Sequence, residues 1–99
     1  MNIQAAPRIP LLDLDLLQTV VAIADTGSFS NAAAVVHRTP SAISMQVKKI
    51  EVMLGRPIFV RDSRSVRFLP DCAFLLDHAR RMLALNRDTV ARFVQPDVQ

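Results

Sequence analysis

Residues 39–55, TPSAISMQVKKIEVMLG, constrain the fold most, because they predict one helix with two different faces. The helix is expected to begin at Thr39 as N-cap, with Pro40 in the first position, and to end at Gly55. Apolar side chains recur at helical spacing on the face predicted to be buried: Ile43, Val47, Ile50 and Leu54. Side chains of other types recur at the same spacing on a second face, which is predicted to point outward: Ser41, Ser44, Met45 and Lys48. Such a helix can enter the major groove of double-stranded DNA.

Basic charge is concentrated around this helix. The chain of 99 residues has a formal net charge of only +3 at pH 7 and a pI near 10.0. Residues 38–67, however, hold seven basic residues against two acidic ones, whereas the rest of the chain holds five arginines against seven aspartates. A contiguous basic stretch is typical of a surface that binds a polyanion.

Composition also indicates the cellular compartment in which the protein is expected. Cys72 is the single cysteine, so no intramolecular disulfide can form, and its favoured role is that of a small buried side chain. The apolar run at residues 16–24 is far shorter than the roughly 20 residues that a membrane span needs. Residues 1–12 lack a signal-peptide core and are expected to be a disordered leader. The sequence therefore predicts a cytoplasmic protein without a membrane partner.

Two shorter helices are predicted before the two-faced one. Asp13 or Asp15 can cap the first, LDLLQTVVAIADT, which ends at a glycine. Ser28 or Ser30 can cap the second, NAAAVVH, whose alanines permit close helix crossing. A tight connection then leads to Thr39. Two helices joined so closely, the second exposing small polar residues, form a helix-turn-helix.

A β-hairpin is predicted to follow. IFVR at residues 58–61 and VRFL at residues 66–69 are β-prone and flank the polar tetrapeptide DSRS, which carries Arg64. We therefore expect a mostly α fold: a winged helix-turn-helix of three helices and a short β-hairpin wing over residues 13–69. An arginine at a wing tip can enter the minor groove.

Residues 70–94 are predicted to form a long linker helix, with a frayed tail at residues 95–99. Its apolar residues alternate steps of four and three, as in a heptad seam, and we expect the seam to bind a second copy of the chain. The predicted dimerisation residues are Cys72, Leu76, Ala79, Leu83, Asn86, Val90 and Phe93. Asn86 either fixes the register of the pair or faces solvent, and the sequence leaves these alternatives even.

The run GSFSNAAAVVHRTPSAISMQVKKIEVMLGRPIFVRDSR, followed by FLPDCAFLLDHARRML, resembles the N-terminal DNA-binding domain of bacterial LysR-type transcriptional regulators. Its most specific parts are GSF before two alanines, SAIS, the pairs IE and LG, and Phe59 with Arg61. The resemblance implies a winged helix-turn-helix, a linker helix that dimerises, and a larger C-terminal domain that binds a small-molecule effector. Because 99 residues do not contain that last domain, we expect a DNA-binding fragment or an atypically short protein.

The sequence departs from the family pattern where DNA would be read. Pro40 stands where many members have a glutamine, and Met45 stands where arginine or glutamine is usual. Direct hydrogen bonding to bases is thereby reduced, although Met45 can contact a thymine methyl group. Leu69 replaces the threonine that would cap the linker helix, a loss of about 1 kcal/mol that Asp71 partly offsets through the helix dipole.

Double-stranded DNA is the predicted partner, bound by a homodimer that presents two recognition helices to a pseudo-palindromic site. Lys49, Arg61 and Arg67 are expected to contact phosphate rather than read sequence, and Gln46 can also do so. The predicted interface comprises Ser30, Arg38, Thr39, Pro40, Ser41, Ser44, Met45, Gln46, Lys48, Lys49, Arg61, Arg64 and Arg67.

Other functions have less support. An enzyme is not predicted, because His37 and His78 lack neighbours at metal-ligand spacing and no catalytic constellation accompanies them. No cofactor is predicted either. Binding of RNA or single strands is disfavoured, because aromatic residues make up 5% of the chain and Trp and Tyr are absent. The alternative is a short interaction protein that pairs with a full-length regulator through the linker helix.

Overall fold

The computed structural model describes residues 9–62 and 64–94. Its helices are α1 (Leu14–Thr26), α2 (Phe29–Val35), α3 (Pro40–Leu54) and α4 (Phe74–Val94). The strands β1 (Phe59–Arg61) and β2 (Val66–Phe68) form a hairpin, and a 3-10 turn at Pro70–Cys72 precedes α4. This order confirms the predicted winged helix-turn-helix with a following long helix. The predicted tail and the first eight residues of the predicted leader lie outside the described residues.

Local side chains set the ends of the first two helices. A carboxylate oxygen of Asp13 accepts a hydrogen bond from the backbone N–H of Asp15 at 2.9 Å, and α1 ends at Gly27 in the left-handed region. The hydroxyl of Ser28 accepts from the N–H of Asn31 at 3.1 Å and so caps α2. Asp13 and Ser28 are thus the caps, each from a predicted pair of alternatives.

The core lies where α1, α2 and α3 cross, and the wing and the start of α4 close it. Its largest fully buried side chains are Leu17, Thr19, Val20, Ile23, Ile43, Val47, Ile50 and Ile58. The buried face of α3 is therefore the predicted one, except that Leu54 in the last turn is exposed. Because α3 is held by this face, its opposite face stays outward.

The wing is attached to the helical body. β1 and β2 pair antiparallel with Phe59 opposite Phe68, and the two rings stack with centroids 4.8 Å apart. The N–H of Val66 donates to the carbonyl of Gly27 at 2.9 Å, which ties β2 to the turn between α1 and α2. Each strand is one residue shorter than predicted, at the end of the hairpin that meets the core.

The start of the linker helix differs from the prediction. The chain first makes the 3-10 turn, and Leu69 provides no side-chain cap, as expected for an aliphatic residue. Asp71 forms a bidentate ion pair with Arg56, with distances of 2.8 and 2.9 Å, instead of acting through the helix dipole alone. The Arg56 guanidinium lowers the pKa of Asp71. This ion pair fastens the linker to the end of α3.

Candidate nucleic-acid interface

The N-terminus of α3 is set by its cap and by a tight turn. The hydroxyl of Thr39 accepts a hydrogen bond from the backbone N–H of Ala42 at 3.1 Å, which confirms the predicted cap. His37, in the turn before it, has a left-handed backbone with φ of 59°, uncommon for a residue other than glycine. The turn thereby reverses the chain within a few residues and fixes how α3 leaves α2.

The outward face of α3 combines hydroxyl, thioether and ammonium groups. Its exposed residues over the first three turns are Pro40, Ser41, Ser44, Met45, Lys48 and Lys49. Met45 is 73% exposed, the largest value for an apolar side chain of α3. Lys48 and Lys49 form no ion pair with any described residue. Two ammonium groups are therefore available to bind an anion, and they lie beside the exposed N-terminal face of α3.

Gln46 is turned inward and joins a network that seats α3 on α1. Its amide oxygen accepts from the hydroxyl of Thr19, and its amide nitrogen donates to Asp15 at 3.1 Å. The same Asp15 oxygen accepts from the Arg38 guanidinium at 2.7 Å. Both ends of its amide are engaged within the domain, which gives Gln46 a positioning role, and its predicted phosphate contact stays a prediction. Arg38 stays at the surface beside the cap.

Sequence reasoning did not identify Asp15 and Thr19 as parts of this support. Their spacing of four places both on one face of α1, which is a visible signal. Nothing in the sequence, however, indicates that this face meets Gln46, because that depends on how the helices cross.

Three predicted arginines lie on the wing in different settings. The Arg61 guanidinium lies over the Phe29 ring, 4.2 Å from its centroid, where cation–π attraction holds it. Arg67 pairs with Asp62 at 3.1 Å. Arg64, at the wing turn, is exposed and has no carboxylate partner within the described ranges. Of the three wing arginines, Arg64 is therefore the most available for contact with another molecule.

The wing turn and the start of α2 share one surface. Ser30 is exposed in the first turn of α2 and lines a shallow depression together with Arg64. Asp62 shapes this turn, because one carboxylate oxygen accepts from the N–H groups of Arg64 and Ser65, at 2.9 and 2.8 Å. These backbone hydrogen bonds, together with that of Arg67, lower the pKa of Asp62. Sequence reasoning missed this role, although aspartate is typical at the start of such turns.

The two histidines lie where the sequence predicts, His37 in the α2–α3 turn and His78 on α4 beside the ring of Phe74. Among the described residues, no three potential metal-ligating side chains come together. None of the described helices is long and apolar enough to span a membrane.

A family model described as "Bacterial regulatory helix-turn-helix protein, lysR family" matches residues 14–72. The match covers α1 to the 3-10 turn, more than half of the chain. The chain belongs to this lysR family. The resemblance found in the sequence is thus confirmed: residues 14–72 form a helix-turn-helix domain of the lysR family of bacterial regulatory proteins.

Relatives of this lysR-family domain are longer proteins. The HTH-type transcriptional regulator PecT of Dickeya dadantii (strain 3937) is 39% identical over 88 residues, which are 89% of this chain and 28% of PecT. The chain thus spans little more than a quarter of that relative. Full-length OxyR of Pseudomonas aeruginosa is 26% identical, with a TM-score of 0.81 over 89% of this chain and 30% of OxyR. The BenM DNA-binding domain in complex with benA site 1 DNA is also 26% identical, with a TM-score of 0.78 over 85% of this chain and 94% of that one.

The structure of this lysR-family domain divides the predicted seam of α4. Cys72 and Ala79 are buried in the domain's own core, at 5% and 0% exposure, so their predicted role in dimerisation is wrong. The reason is that Cys72 lies in the 3-10 turn against the core, and that α4 packs on α1 with Ala79 in the core. Leu76 is half-buried, and Leu83 packs partly against the core. Burial raises the pKa of the Cys72 thiol, consistent with a buried structural side chain.

The distal half of α4 keeps its apolar residues outward. Asn86, Val90 and Phe93 are exposed, and Phe93 is 83% exposed. Asn86 and Val90 line an open groove of about 740 Å³ between α4 and Gln18 of α1. Upstream of these residues, Arg80 forms an ion pair with Asp25 of α1. This ion pair holds α4 against α1 before the exposed part of the helix begins.

Proposed function

We propose that this chain binds specific sites in double-stranded bacterial DNA as a homodimer, as the DNA-binding portion of a transcriptional regulator. The carrying observation is the outward face of α3, where small polar, apolar and cationic side chains lie on a capped helix seated on a rigid core. Control by a small molecule would act through a C-terminal domain outside these 99 residues. A function on the bacterial chromosome takes place in the cytoplasm, where we expect the chain.

Each part of the interface has a proposed role. α3 enters the major groove, with Ser41, Ser44 and Met45 towards base edges and Lys48 and Lys49 towards phosphates. The wing follows the backbone and offers Arg64 to the minor groove. Similarity to the BenM DNA-binding domain, whose structure is a complex with benA site 1 DNA, supports DNA binding by this fold.

The homodimer is proposed to form through the distal stripe of α4, which comprises Leu83, Asn86, Val90 and Phe93. A symmetric pair would present its two α3 helices to half-sites about 34–36 Å apart, one helical turn of DNA, or a multiple of that distance. A heterodimer with a full-length regulator would use the same stripe, and no observation favours it over the homodimer.

Selection of bound sequences from a random duplex pool, followed by footprinting, tests the function directly. We expect two related half-sites on one face of the duplex. If the chain enriches no duplex at low salt, the proposed function is wrong.

Lys48→Ala tests the surface itself. Because Lys48 is exposed and unpaired among described residues, its loss should weaken binding and reduce the slope of log affinity against log salt by roughly one unit. Arg81→Ala is the matched control: it removes one positive charge from α4, where Arg81 pairs with Asp77 at 2.7 Å. Equal effects of the two variants, or none from Lys48→Ala, would contradict the assigned surface.

A further inference from the structure

Met45 is the one large apolar side chain on the N-terminal, outward part of α3. We propose that it recognises the C5-methyl group of a major-groove pyrimidine, so that the domain selects its site by methyl contact more than by hydrogen bonds to base edges. This inference rests on the proposed DNA-binding function and specifies the chemistry by which α3 would recognise DNA.

α3 has few side chains free to form paired hydrogen bonds with a base. Arginine or lysine on guanine, and asparagine or glutamine on adenine, are the side chains whose paired hydrogen bonds distinguish bases best. α3 contains no arginine or asparagine, and its one glutamine, Gln46, is held by Thr19 and Asp15. Arg38, just before the helix, pairs with the same Asp15. The two lysines of α3 are proposed to contact phosphates, so direct hydrogen bonding to bases is left largely to serine hydroxyls, which pair with several bases.

Met45 lies near the N-terminus of α3, on its outward face. It follows Ser41 by one turn and adjoins Ser44, so it lies within the part of a recognition helix that reaches base edges. Its side chain is 73% exposed, unbranched and polarizable, and it can adjust to a small apolar group. On the major-groove edge of unmodified DNA, the thymine methyl is the distinctive apolar group. Contact between these two groups removes both from water.

Val52 provides a comparison within the same helix. It is 69% exposed and lies close to the line of Ser41, Met45 and Lys48 along the helix, but seven residues, about 10.5 Å, beyond Met45. Because recognition helices contact bases mainly through their N-terminal residues, Val52 is not expected to reach a methyl group. Truncating Val52 therefore removes an exposed apolar side chain without removing the proposed contact.

The test replaces each thymine of the selected site, one at a time, by uracil, which lacks only the methyl group. Dissociation constants are measured for the unaltered chain, Met45→Ala and Val52→Ala at one salt concentration. We expect one thymine position in each half-site to be sensitive. Replacing that thymine alone should weaken DNA binding by the unaltered chain and by Val52→Ala about fourfold, the effect of one buried methyl group. Met45→Ala should bind the thymine and uracil duplexes equally. Its exposed position means that the variant should fold, which circular dichroism verifies.

A second arm distinguishes the source of the methyl group. At the sensitive position, a C·G pair is compared with 5-methylcytosine·G. Tighter binding of the methylated pair by the unaltered chain, but not by Met45→Ala, would extend recognition to either methylated pyrimidine; a response to uracil alone would assign it to thymine. Insensitivity to every uracil replacement, or a loss that persists in Met45→Ala, would overturn the methyl contact and leave DNA binding intact. Failure to select any duplex would overturn both.

Discussion

A single carboxylate, that of Asp62, organises the wing turn. It accepts hydrogen bonds from the backbone N–H groups of Arg64 and Ser65 and from the side chain of Arg67. These bonds hold the pKa of Asp62 below its ordinary value of 3.8, so folding favours the charged form. The stabilisation is therefore complete above pH 3.8 and is lost as the pH falls through the lower, folded-state pKa.

The direction of the Asp62 pKa shift can be measured by NMR. The amide proton shifts of Arg64 and Ser65 should titrate together with a midpoint below 3.8, because they report the protonation of the oxygen that they contact. In Asp62→Asn this common transition should disappear while the core resonances stay in place. A midpoint at or above 3.8 in the unaltered chain would mean that the carboxylate does not hold the turn.

At the scale of elements, the seat of α3 on α1 depends on the hydrogen bond between Thr19 and Gln46. Thr19 is 1% exposed, so Gln46→Leu leaves its hydroxyl buried without its partner. We expect the free energy of unfolding to fall by about 1–3 kcal/mol in that variant, as for other unsatisfied buried polar groups. The double variant Thr19→Val with Gln46→Leu removes both partners and should recover most of the loss. Chemical denaturation of the four proteins in the cycle measures this; strictly additive losses would show that the pair does not interact.

The same elements show what a sequence can and cannot predict. The ends and faces of α3 were predictable, because Thr39 caps a group three residues away and the apolar spacing repeats within one helix. The role of Gln46 was not, because it meets Asp15 across 31 positions, and only the crossing of α1 and α3 brings them together. The ion pair between Arg56 and Asp71 was missed for a similar reason, since its partners are 15 positions apart.

At the scale of the whole molecule, α4 carries one apolar stripe that is buried in its first half and exposed in its distal half. Its apolar spacing predicts a continuous seam, because the pattern is the same whether the stripe packs on its own domain or on another chain. Which part of the stripe is buried depends on how far the other helices of the domain extend along α4. Ala79 meets the body and is buried, whereas Val90 and Phe93 extend past it and are exposed. The proposed dimer contact therefore belongs to the distal half alone.

Phe93→Asp tests this division. A charge within an apolar contact is costly to bury, so the variant should dissociate to a monomer of 11.0 kDa, whereas the unaltered chain should sediment at twice that mass. Val35→Asp is the matched control, because Val35 is also an exposed apolar residue but lies on α2. Since the distal stripe contributes little to the core, Phe93→Asp should keep its unfolding midpoint and protect a half-site only at higher protein concentration. A monomeric unaltered chain, or equal dissociation by Val35→Asp, would contradict dimerisation through the distal stripe, and a chain that pairs only with an added full-length regulator would favour the heterodimer.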